Sequence, residues 1–350
     1  MSGDENASAG AVPARAFSLG DESVDGEFRR QESRFRDVVS ADGSTAFPAE
    51  AGRYNLYVSW ACPWAQRTII GRRLKGLEHA IGISVVDPVR DDRGWAFTGG
   101  EYVDEINGWS FLSEAYHATE PAFTGRYSVP VLWDTKERRI VSNESGELLR
   151  MLDQGFGALA DDRVDLCPAA LRPEIDTLNG RIYDSLNNAV YKAGFATRQD
   201  VYEREARGIF ALLDELDARL ETRRFLFGDS PVETDWRLFT TLLRFDAVYA
   251  IHFKLSLRRI VDYPNLWPYV RDLYQQPGIA DTVRFDEIRR HYYCTHPMIN
   301  PSGLVALRPD EDFGAPHNRE RLAGPRATPS RHSRRRRSGP PAGPRSNRST

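Results

Sequence analysis

The strand-like segments of this chain all fall in its first half, and this distribution is the strongest constraint on its fold. From Tyr54 the sequence reads as strand, helix, strand, long insert, strand, strand and helix, whereas past about Gly155 only helical spacing remains. A strand, a helix and a second strand form a βαβ unit, in which the helix packs against the sheet. The order therefore predicts an α/β domain followed by an all-helical domain.

Changes in composition along the chain predict four segments. These are a polar leader at residues 1–50, an α/β domain at 51–155 with a loop-rich insert at about 87–127, a helical domain at 165–310, and an Arg/Pro-rich tail at 311–350. The tail is rich in Arg, Pro, Ser and Gly, which is typical of a disordered, solvated segment. Contact of its four consecutive arginines with nucleic acid or anionic lipid is the alternative.

Charge and cysteine content exclude several classes of protein. The formal net charge is −3 although the last 33 residues carry ten arginines against Glu320, so the rest of the chain is strongly acidic and is not expected to bind nucleic acid. No apolar run is long enough to span a membrane, and no secretory signal is recognised at the amino terminus. Three cysteines, Cys62, Cys167 and Cys294, favour a reducing cytoplasm over a disulfide framework.

Cys62 lies between a predicted strand at 54–59 and a predicted helix at 64–75, within the stretch LYVSWACPWAQRT. A thiol at a helix start faces unpaired backbone N–H groups and the positive end of the helix dipole, which favour thiolate over thiol. Pro63 suits the first helical position, and Arg67 adds a positive charge if it points back. The pattern predicts a nucleophilic cysteine, and the alternative is a small buried side chain.

The neighbouring residues limit what this thiol can do. Ala65 stands where a C-x-x-C motif would have its second cysteine, so a mixed disulfide with a small thiol is the expected intermediate. Cys167 and Cys294 are interpreted as structural. The cysteines and the histidines His252, His291 and His296 show no metal-ligand spacing, so no metal site is predicted.

Seven segments between about residues 54 and 303 resemble the glutathione transferase superfamily, and within it most closely the glutathionyl-hydroquinone reductases, or Xi class. The segments are YNLYVSWACPWAQRTIIGRRLKGLE, RGWAF, RYSVPVLWD, IVSNESGELLRML, DWRLFTTLLRFDAVYAIHFK, DYPNLWPYVRDLYQ and RHYYCTHPMINPSG. The resemblance implies a thioredoxin-like, glutathione-binding domain followed by a helical glutathione-transferase C-terminal domain. It also implies a cytoplasmic homodimer that uses glutathione as co-substrate, without a tightly bound cofactor.

The resemblance also implies roles for individual residues. Cys62 corresponds to the catalytic nucleophile. The glutathione-binding residues would be Trp95, Arg126, Val129 (through its main chain, before a cis proline at Pro130), Glu144 and Ser145. The hydroquinone pocket would be lined by Tyr191, Tyr249 and Tyr292, each of which is a packing residue on the evidence of the sequence alone. His296 and Arg290 would lie beside that pocket.

The implied reaction is reduction of a glutathionyl-hydroquinone through a Cys62–glutathione mixed disulfide, with release of oxidised glutathione. A general cysteine-type thioltransferase or dehydroascorbate reductase is one alternative, and a non-catalytic transferase-like binding module is another. The sequence departs from the family at Gln66, where histidine is common, and at Trp60, where an aliphatic residue is common. Because both residues neighbour Cys62, we expect them to affect substrate choice.

Overall fold

The computed structural model describes residues 23–323; the predictions for residues 1–22 and 324–350 lie outside the described residues. The four strands of its main sheet are Tyr54–Val58 (β1), Ile81–Val85 (β2), Val131–Asp134 (β3) and Arg139–Ser142 (β4). Their order is β2–β1–β3–β4, with β1 parallel to β2 and antiparallel to β3, and β4 antiparallel to β3. All five residues of β1 are buried, because this strand lies inside the sheet.

Three helices belong to this layer: Pro63–Leu74 (α1), Ser113–Thr119 (α2) and Ser145–Gln154 (α3). Helices α1 and α3 pack against each other, and α2 packs near β4. The close approach of α1 to α3 requires a small residue, because a Cβ atom at Gly71 would lie 2.8 Å from Leu149 Cδ1. The predicted strand–helix–strand start and the helix after β4 are thereby confirmed.

The second layer is helical, and it contains the three long helical segments that the hydrophobic spacing predicts at residues 173–192, 199–221 and 233–253. Two of these segments are interrupted by a single π turn, which leaves no signal in the hydrophobic spacing. The elements are Arg172–Ile182 (α4), the π turn Tyr183–Asn187, Ala189–Gly194 (α5), Gln199–Arg219 (α6), Glu233–Arg244 (α7), the π turn Phe245–Tyr249, the helical turn Ala250–His252, Leu266–Tyr274 (α8) and Phe285–Thr295 (α9).

Short elements connect and extend these layers. Two-residue strands pair as Ser23–Val24 with Glu27–Phe28 and as Val39–Ser40 with Phe47–Pro48. Single 3-10 turns occur at Leu77–His79, Gly157–Leu159, Ile260–Asp262, Ala280–Thr282 and Arg319–Leu322.

The described part of the leader is packed onto both layers. Phe28 belongs to the apolar core of the helical layer, whereas Val39 and Phe47 belong to the core beneath the sheet. The backbone N–H of Thr197 donates to the carbonyl of Gly26, which ties the leader to the chain after α5. Although the leader is polar in composition, Phe28, Phe35 and Phe47 of its described part are buried and fix its path.

The start of the predicted tail is also packed, which corrects the expectation of disorder for residues 311–323. Phe313 is buried against the rings of Trp267 and Tyr274. Arg319 is 3% exposed and donates to the carbonyls of Leu220 and Arg224. Composition alone suggested a solvated segment, whereas one aromatic and one arginine side chain anchor these residues to the helical layer.

The two layers form one continuous interior. Trp64, in the first turn of α1, packs against both the sheet core and the helical core. Helix α1 contacts α7 across the boundary between the layers. This arrangement confirms the predicted fold class, a thioredoxin-like α/β layer followed by an all-helical layer, and it leaves a cavity at their boundary.

Candidate active site

A cavity of about 300 Å³ lies where the sheet layer meets the helical layer. Its wall is built by the starts of α1 and α3, the loop before β3, the insert, part of the leader, α5 and α9. Eight of the nine residues that the sequence assigns to the site line this cavity: Cys62, Trp95, Arg126, Val129, Glu144, Ser145, Tyr191 and Tyr292. The fold therefore brings together residues up to 230 positions apart in the chain.

Cys62 is the residue immediately before α1, and Pro63 occupies the first helical position. The cysteine is 8% exposed, and its Sγ lies 3.7 Å from the carbonyl oxygen of Val129. The Val129–Pro130 peptide is cis, as the resemblance implies. The sulfur thus lies at a helix N-terminus and at the cavity wall, beside the main chain of Val129, where a bound ligand can reach it.

A buried cation lies behind the thiol, one turn further along α1. Arg67 is 3% exposed; its Nη1 donates to Ser145 Oγ at 3.3 Å and its Nη2 to Asn187 Oδ1 at 2.9 Å. Burial, reinforced by the neighbouring charge of Arg237, lowers the pKa of Arg67 to about 9. At neutral pH the guanidinium is charged, and it links the start of α1 to the start of α3.

The start of α3 presents a carboxylate and a hydroxyl group together. Glu144 caps the helix, since its Oε1 accepts a hydrogen bond from Gly146 N at 3.1 Å. Its Oε2 accepts a second hydrogen bond from Ser33 Oγ at 2.9 Å. Ser145 is buried at the cavity wall. A helix N-terminus with a hydroxyl suits a carboxylate ligand, and the Glu144 carboxylate suits an ammonium group.

The insert is held over the cavity by α9. The Trp95 ring stacks on the His291 ring with a centroid distance of 5.1 Å and an interplanar angle of 18°. His291 Nδ1 lies 2.7 Å from the carbonyl oxygen of Pro88, so this nitrogen carries the proton that is donated. Burial lowers the pKa of His291 to about 3, and the ring is therefore neutral at physiological pH.

Three phenols form a hydrogen-bonded group in the helical wall. The hydroxyl of Tyr292 lies 2.7 Å from that of Tyr191 and 3.1 Å from that of Tyr249. Burial raises the pKa of all three above its ordinary value, so the hydroxyl groups remain protonated and can donate. Tyr249 departs from its expected place, because it is fully buried behind Tyr292 rather than at the cavity wall.

Sequence reasoning missed the contribution of the leader. The cavity-lining residues of this segment are Phe28, Arg30, Gln31, Glu32, Ser33, Arg34 and Arg36. The signal that could have found them is a cluster of arginines in an otherwise polar and acidic stretch. Of the two residues expected beside the pocket, His296 lines the cavity, whereas Arg290 is exposed and lies outside its lining.

The two departures from the family near Cys62 lie outside the lining of the cavity. Gln66 is fully buried, and its Nε2 donates to the carbonyl of Thr282 at 3.1 Å while its Oε1 accepts from Arg244. Neither Gln66 nor Trp60 belongs to the described residues that line the cavity. The expected effect of these residues on substrate choice therefore has no direct contact to support it.

The charges at the wall define what the cavity accepts. Five arginines and two glutamates line it, so it is electropositive within an acidic body.

Within residues 23–323, no group of three or more His, Cys, Asp or Glu side chains is arranged to hold a metal ion. Across the same residues, none of the helices is long and apolar enough to cross a membrane.

Comparisons with known proteins agree with this geometry. Residues 61–154 match the family model of the glutathione S-transferase N-terminal domain, and residues 199–272 match that of the C-terminal domain. The chain is 48% identical over 307 residues to the glutathionyl-hydroquinone reductase YqjG of Escherichia coli, covering 85% of this chain and 94% of that protein. It is 45% identical over 289 residues to the glutathionyl-hydroquinone reductase PcpF of Sphingobium chlorophenolicum, covering 82% and 91%.

Solved structures give the same result. The glutathione-bound structure of Escherichia coli YqjG superposes with a TM-score of 0.79 at 48% identity, covering 82% of this chain and 96% of that one. The Xi-class glutathione transferase from Natrialba magadii superposes with a TM-score of 0.81 at 48% identity, covering 86% and 97%. The chain therefore belongs to the glutathione transferase superfamily and, within it, to the glutathionyl-hydroquinone reductases of the Xi class.

Proposed function

We propose that the protein reduces glutathionyl-hydroquinones to hydroquinones at the expense of glutathione. The observation that carries the proposal is the position of Cys62, which lies at the N-terminus of α1 in a cavity whose opposite wall carries the phenols of Tyr191 and Tyr292. One wall offers a nucleophilic sulfur and the other offers hydrogen-bond donors and aromatic faces. A substrate that joins glutathione to a dihydroxylated ring matches both walls.

In the proposed complex, glutathione lies along the sheet side of the cavity. Its cysteinyl main chain pairs with that of Val129, which places the glutathione sulfur next to Cys62. Its γ-glutamyl end is held at the start of α3, with the carboxylate at Ser145 and the ammonium at Glu144. Trp95 packs on the peptide, and Arg126 binds it through its charge. Glutathione is thus a co-substrate that the cavity accepts without a tightly bound cofactor.

The chemistry uses two thiol exchanges. The Cys62 thiolate attacks the sulfur of the glutathionyl-hydroquinone, so a Cys62–glutathione disulfide forms, the carbon–sulfur bond breaks and the ring carbon gains a proton. A second glutathione thiolate attacks the glutathione sulfur of that disulfide, releases oxidised glutathione and restores the Cys62 thiolate. The ring carbon is reduced by two electrons, because the thioether sulfur of the conjugate and the thiol of the second glutathione are joined in one disulfide. Tyr191 and Tyr292 hold the ring in line with the attack.

Replacing the nucleophile tests the proposal. The variant Cys62→Ala is expected to lose turnover by more than about a thousandfold, because both half-reactions pass through this sulfur. The matched control is Cys294→Ala, which removes an exposed cysteine and is expected to retain wild-type turnover. Mass spectrometry of wild-type protein mixed with a glutathionyl-hydroquinone should detect one glutathione on Cys62. Full activity of Cys62→Ala would contradict the proposal.

Two alternatives predict different results in the same assays. A general thioltransferase or dehydroascorbate reductase would prefer a simple glutathione mixed disulfide over glutathionyl-menadione, and comparison of the two rates separates these activities. A non-catalytic binding module would be retained on a glutathione affinity column but would turn over neither substrate. The intact set of cavity-lining residues around Cys62 favours catalysis, since a binding module does not need the thiol.

Assembly and location are proposed on the family relationship. We expect a homodimer whose interface is formed by the helical domains, and sedimentation equilibrium checks this, since a monomer at micromolar concentration contradicts it. A cytoplasmic location agrees with three cysteines that are all free in the structure. Fluorescence microscopy of the tagged full chain in its host checks this location.

A further inference from the structure

Arg30, from the leader, places a guanidinium group in the aromatic wall of the cavity. Its Cζ lies 4.8 Å from the ring centroid of Trp64 and 4.8 Å from that of Tyr191. On a third side it lies 5.3 Å from the ring of Phe28. Three aromatic rings in contact with one cation hold the guanidinium at the part of the cavity where an aromatic substrate would lie.

The guanidinium is anchored at one end only. Arg30 Nε donates to Asn188 Oδ1 at 2.8 Å, and Asn188 is itself buried directly before α5. Nη2 is covered by the surrounding side chains and has no hydrogen-bond partner. Nη1 has no partner among the described residues and is not among the buried unpaired atoms, so it is an accessible donor on a residue that lines the cavity.

The charge of Arg30 is not neutralised by a neighbour. Within residues 23–323, no carboxylate lies within ion-pair distance of it, whereas Arg34 and Arg36 of the same segment pair with Glu120 and Glu147. A guanidinium pre-positioned by aromatic rings, with an unused donor and no counter-ion, is a ready binding group for an oxyanion.

The proposed reaction delivers an oxyanion to this part of the cavity. When the Cys62 thiolate takes the glutathione sulfur, the new disulfide is neutral and the negative charge passes to the ring. If the proton that reaches the ring carbon comes from a ring hydroxyl, the charge ends on that ring oxygen as a phenolate. Atoms and charge balance, because one thiolate and one phenol become one disulfide bond and one phenolate. A cation placed where this charge arrives lowers the barrier of the step.

We propose that Arg30 is a catalytic residue that binds the ring oxygen of the departing hydroquinone and stabilises it as a phenolate. The inference rests on the proposed function and adds a group that recognises the ring hydroxyl of its substrate. Conjugates that lack this hydroxyl give Arg30 no oxyanion to bind. Glutathione mixed disulfides depend on Arg30 less, because their departing negative charge lies on the sulfur next to the one that Cys62 attacks and not on a ring oxygen.

The test compares Arg30→Gln and Arg30→Lys with the control Arg29→Gln, which removes the same charge from the exposed neighbouring residue. Each protein is assayed on a glutathionyl-hydroquinone and on the mixed disulfide of glutathione with 2-mercaptoethanol. Loss of one charged hydrogen bond in the transition state is expected to lower kcat of Arg30→Gln on the hydroquinone conjugate by about 10- to 100-fold. The loss in kcat on the disulfide should be several-fold smaller, and Arg30→Lys should recover part of the hydroquinone rate.

A second measurement separates catalysis from packing. Across glutathionyl-hydroquinones whose rings carry chloro or methyl substituents, the rate of Arg30→Gln should depend more steeply on the acidity of the ring hydroxyl than that of wild type. Equal losses on both substrates, or no loss on the hydroquinone, would overturn the role of Arg30 alone. A wild-type protein that reduces only the disulfide would overturn the proposed function and this inference with it.

Discussion

At the scale of single residues, the cavity combines uncharged proton donors with buried cations. The phenols of Tyr191 and Tyr292 and the histidines at the wall are kept neutral by burial, whereas Arg30 and Arg67 are held by aromatic rings and by neutral acceptors. A low-polarity surrounding strengthens the interaction of these cations with an anionic ligand. The cavity residues are therefore arranged to bind a negatively charged thiol peptide even when no substrate is present.

The buried histidines give the protein a defined response to acid. Burial lowers the pKa of His291 to about 3 and that of His252 to about 4, whereas an unfolded histidine titrates near 6.5. Because the unfolded chain binds these protons first, their contribution to stability is complete above about pH 6.5 and is lost as the pH falls toward the folded pKa values. Stability is therefore expected to decrease between pH 7 and 5.

We predict that His291→Gln reduces the loss of folding stability between pH 7 and 5. The free energy of unfolding of wild type should fall more between pH 7 and 5 than that of the variant, by about 2 kcal/mol. Urea unfolding at the two pH values measures the difference. His79→Gln is the control, because His79 is exposed and its removal should leave the wild-type pH dependence in place. An unchanged pH dependence in His291→Gln would show that this ring does not titrate as described.

At the scale of elements, the site depends on the starts of two helices and on the leader that crosses them. Helix α1 provides Cys62, and α3 provides Glu144 and Ser145. The leader is tied to the start of α3, because Ser33 Oγ donates to Glu144 Oε2 at 2.9 Å and lies 3.3 Å from the carbonyl of Asn143. A segment without regular structure thus fixes the carboxylate that is proposed to hold the ammonium group of glutathione.

We predict that Ser33→Ala weakens glutathione binding while leaving the chemical step largely intact. Loss of one hydrogen bond to a carboxylate costs about 1.5–3 kcal/mol, so KM for glutathione should rise by about 10-fold to 100-fold with little change in kcat. Steady-state kinetics with varied glutathione measure both constants. Ser44→Ala, an exposed position of the same leader outside the cavity lining, is the matched control. A fall in kcat at constant KM would contradict this role for Ser33.

At the scale of the whole molecule, the two layers are joined through a buried arginine directly behind the thiol. Arg244 of α7 is fully buried, and its Nε donates to the carbonyl of Ala61 at 3.0 Å. Its Nη2 donates to the carbonyl of Trp60, and its Nη1 donates to Gln66 Oε1. The helical layer therefore holds the turn that presents Cys62, so stability and site geometry are coupled.

We predict that Arg244→Met lowers the free energy of unfolding by about 2–4 kcal/mol, because it leaves buried carbonyl groups without donors. Urea unfolding monitored by tryptophan fluorescence measures the change. The control Arg207→Met removes an arginine with an exposed side chain from α6, and a shift within about 0.5 kcal/mol is expected. If Arg244→Met unfolds at the wild-type urea concentration, the arginine does not join the layers.

Much of the fold was predictable from local sequence. The change from strand to helical periodicity at about Gly155 predicted both layers, and the Cys62-Pro63 step predicted the start of α1. Hydrophobic spacing is a local property, and it reports which face of an element is buried. The π turns at Tyr183–Asn187 and Phe245–Tyr249 were missed, because one wider turn does not disturb that spacing enough to be read.

The sequence by itself determined that Cys62 is the nucleophile candidate, and the family resemblance supplied the residues of the glutathione and ring sites. Only the tertiary structure decided that Tyr249 lies behind Tyr292, that Gln66 holds Arg244, and that the leader brings Arg30 and Ser33 to the cavity. These facts depend on contacts between distant segments, such as Ser33 with Glu144, 111 positions apart. Local composition does not predict such contacts, because they form only when both layers and the leader pack together.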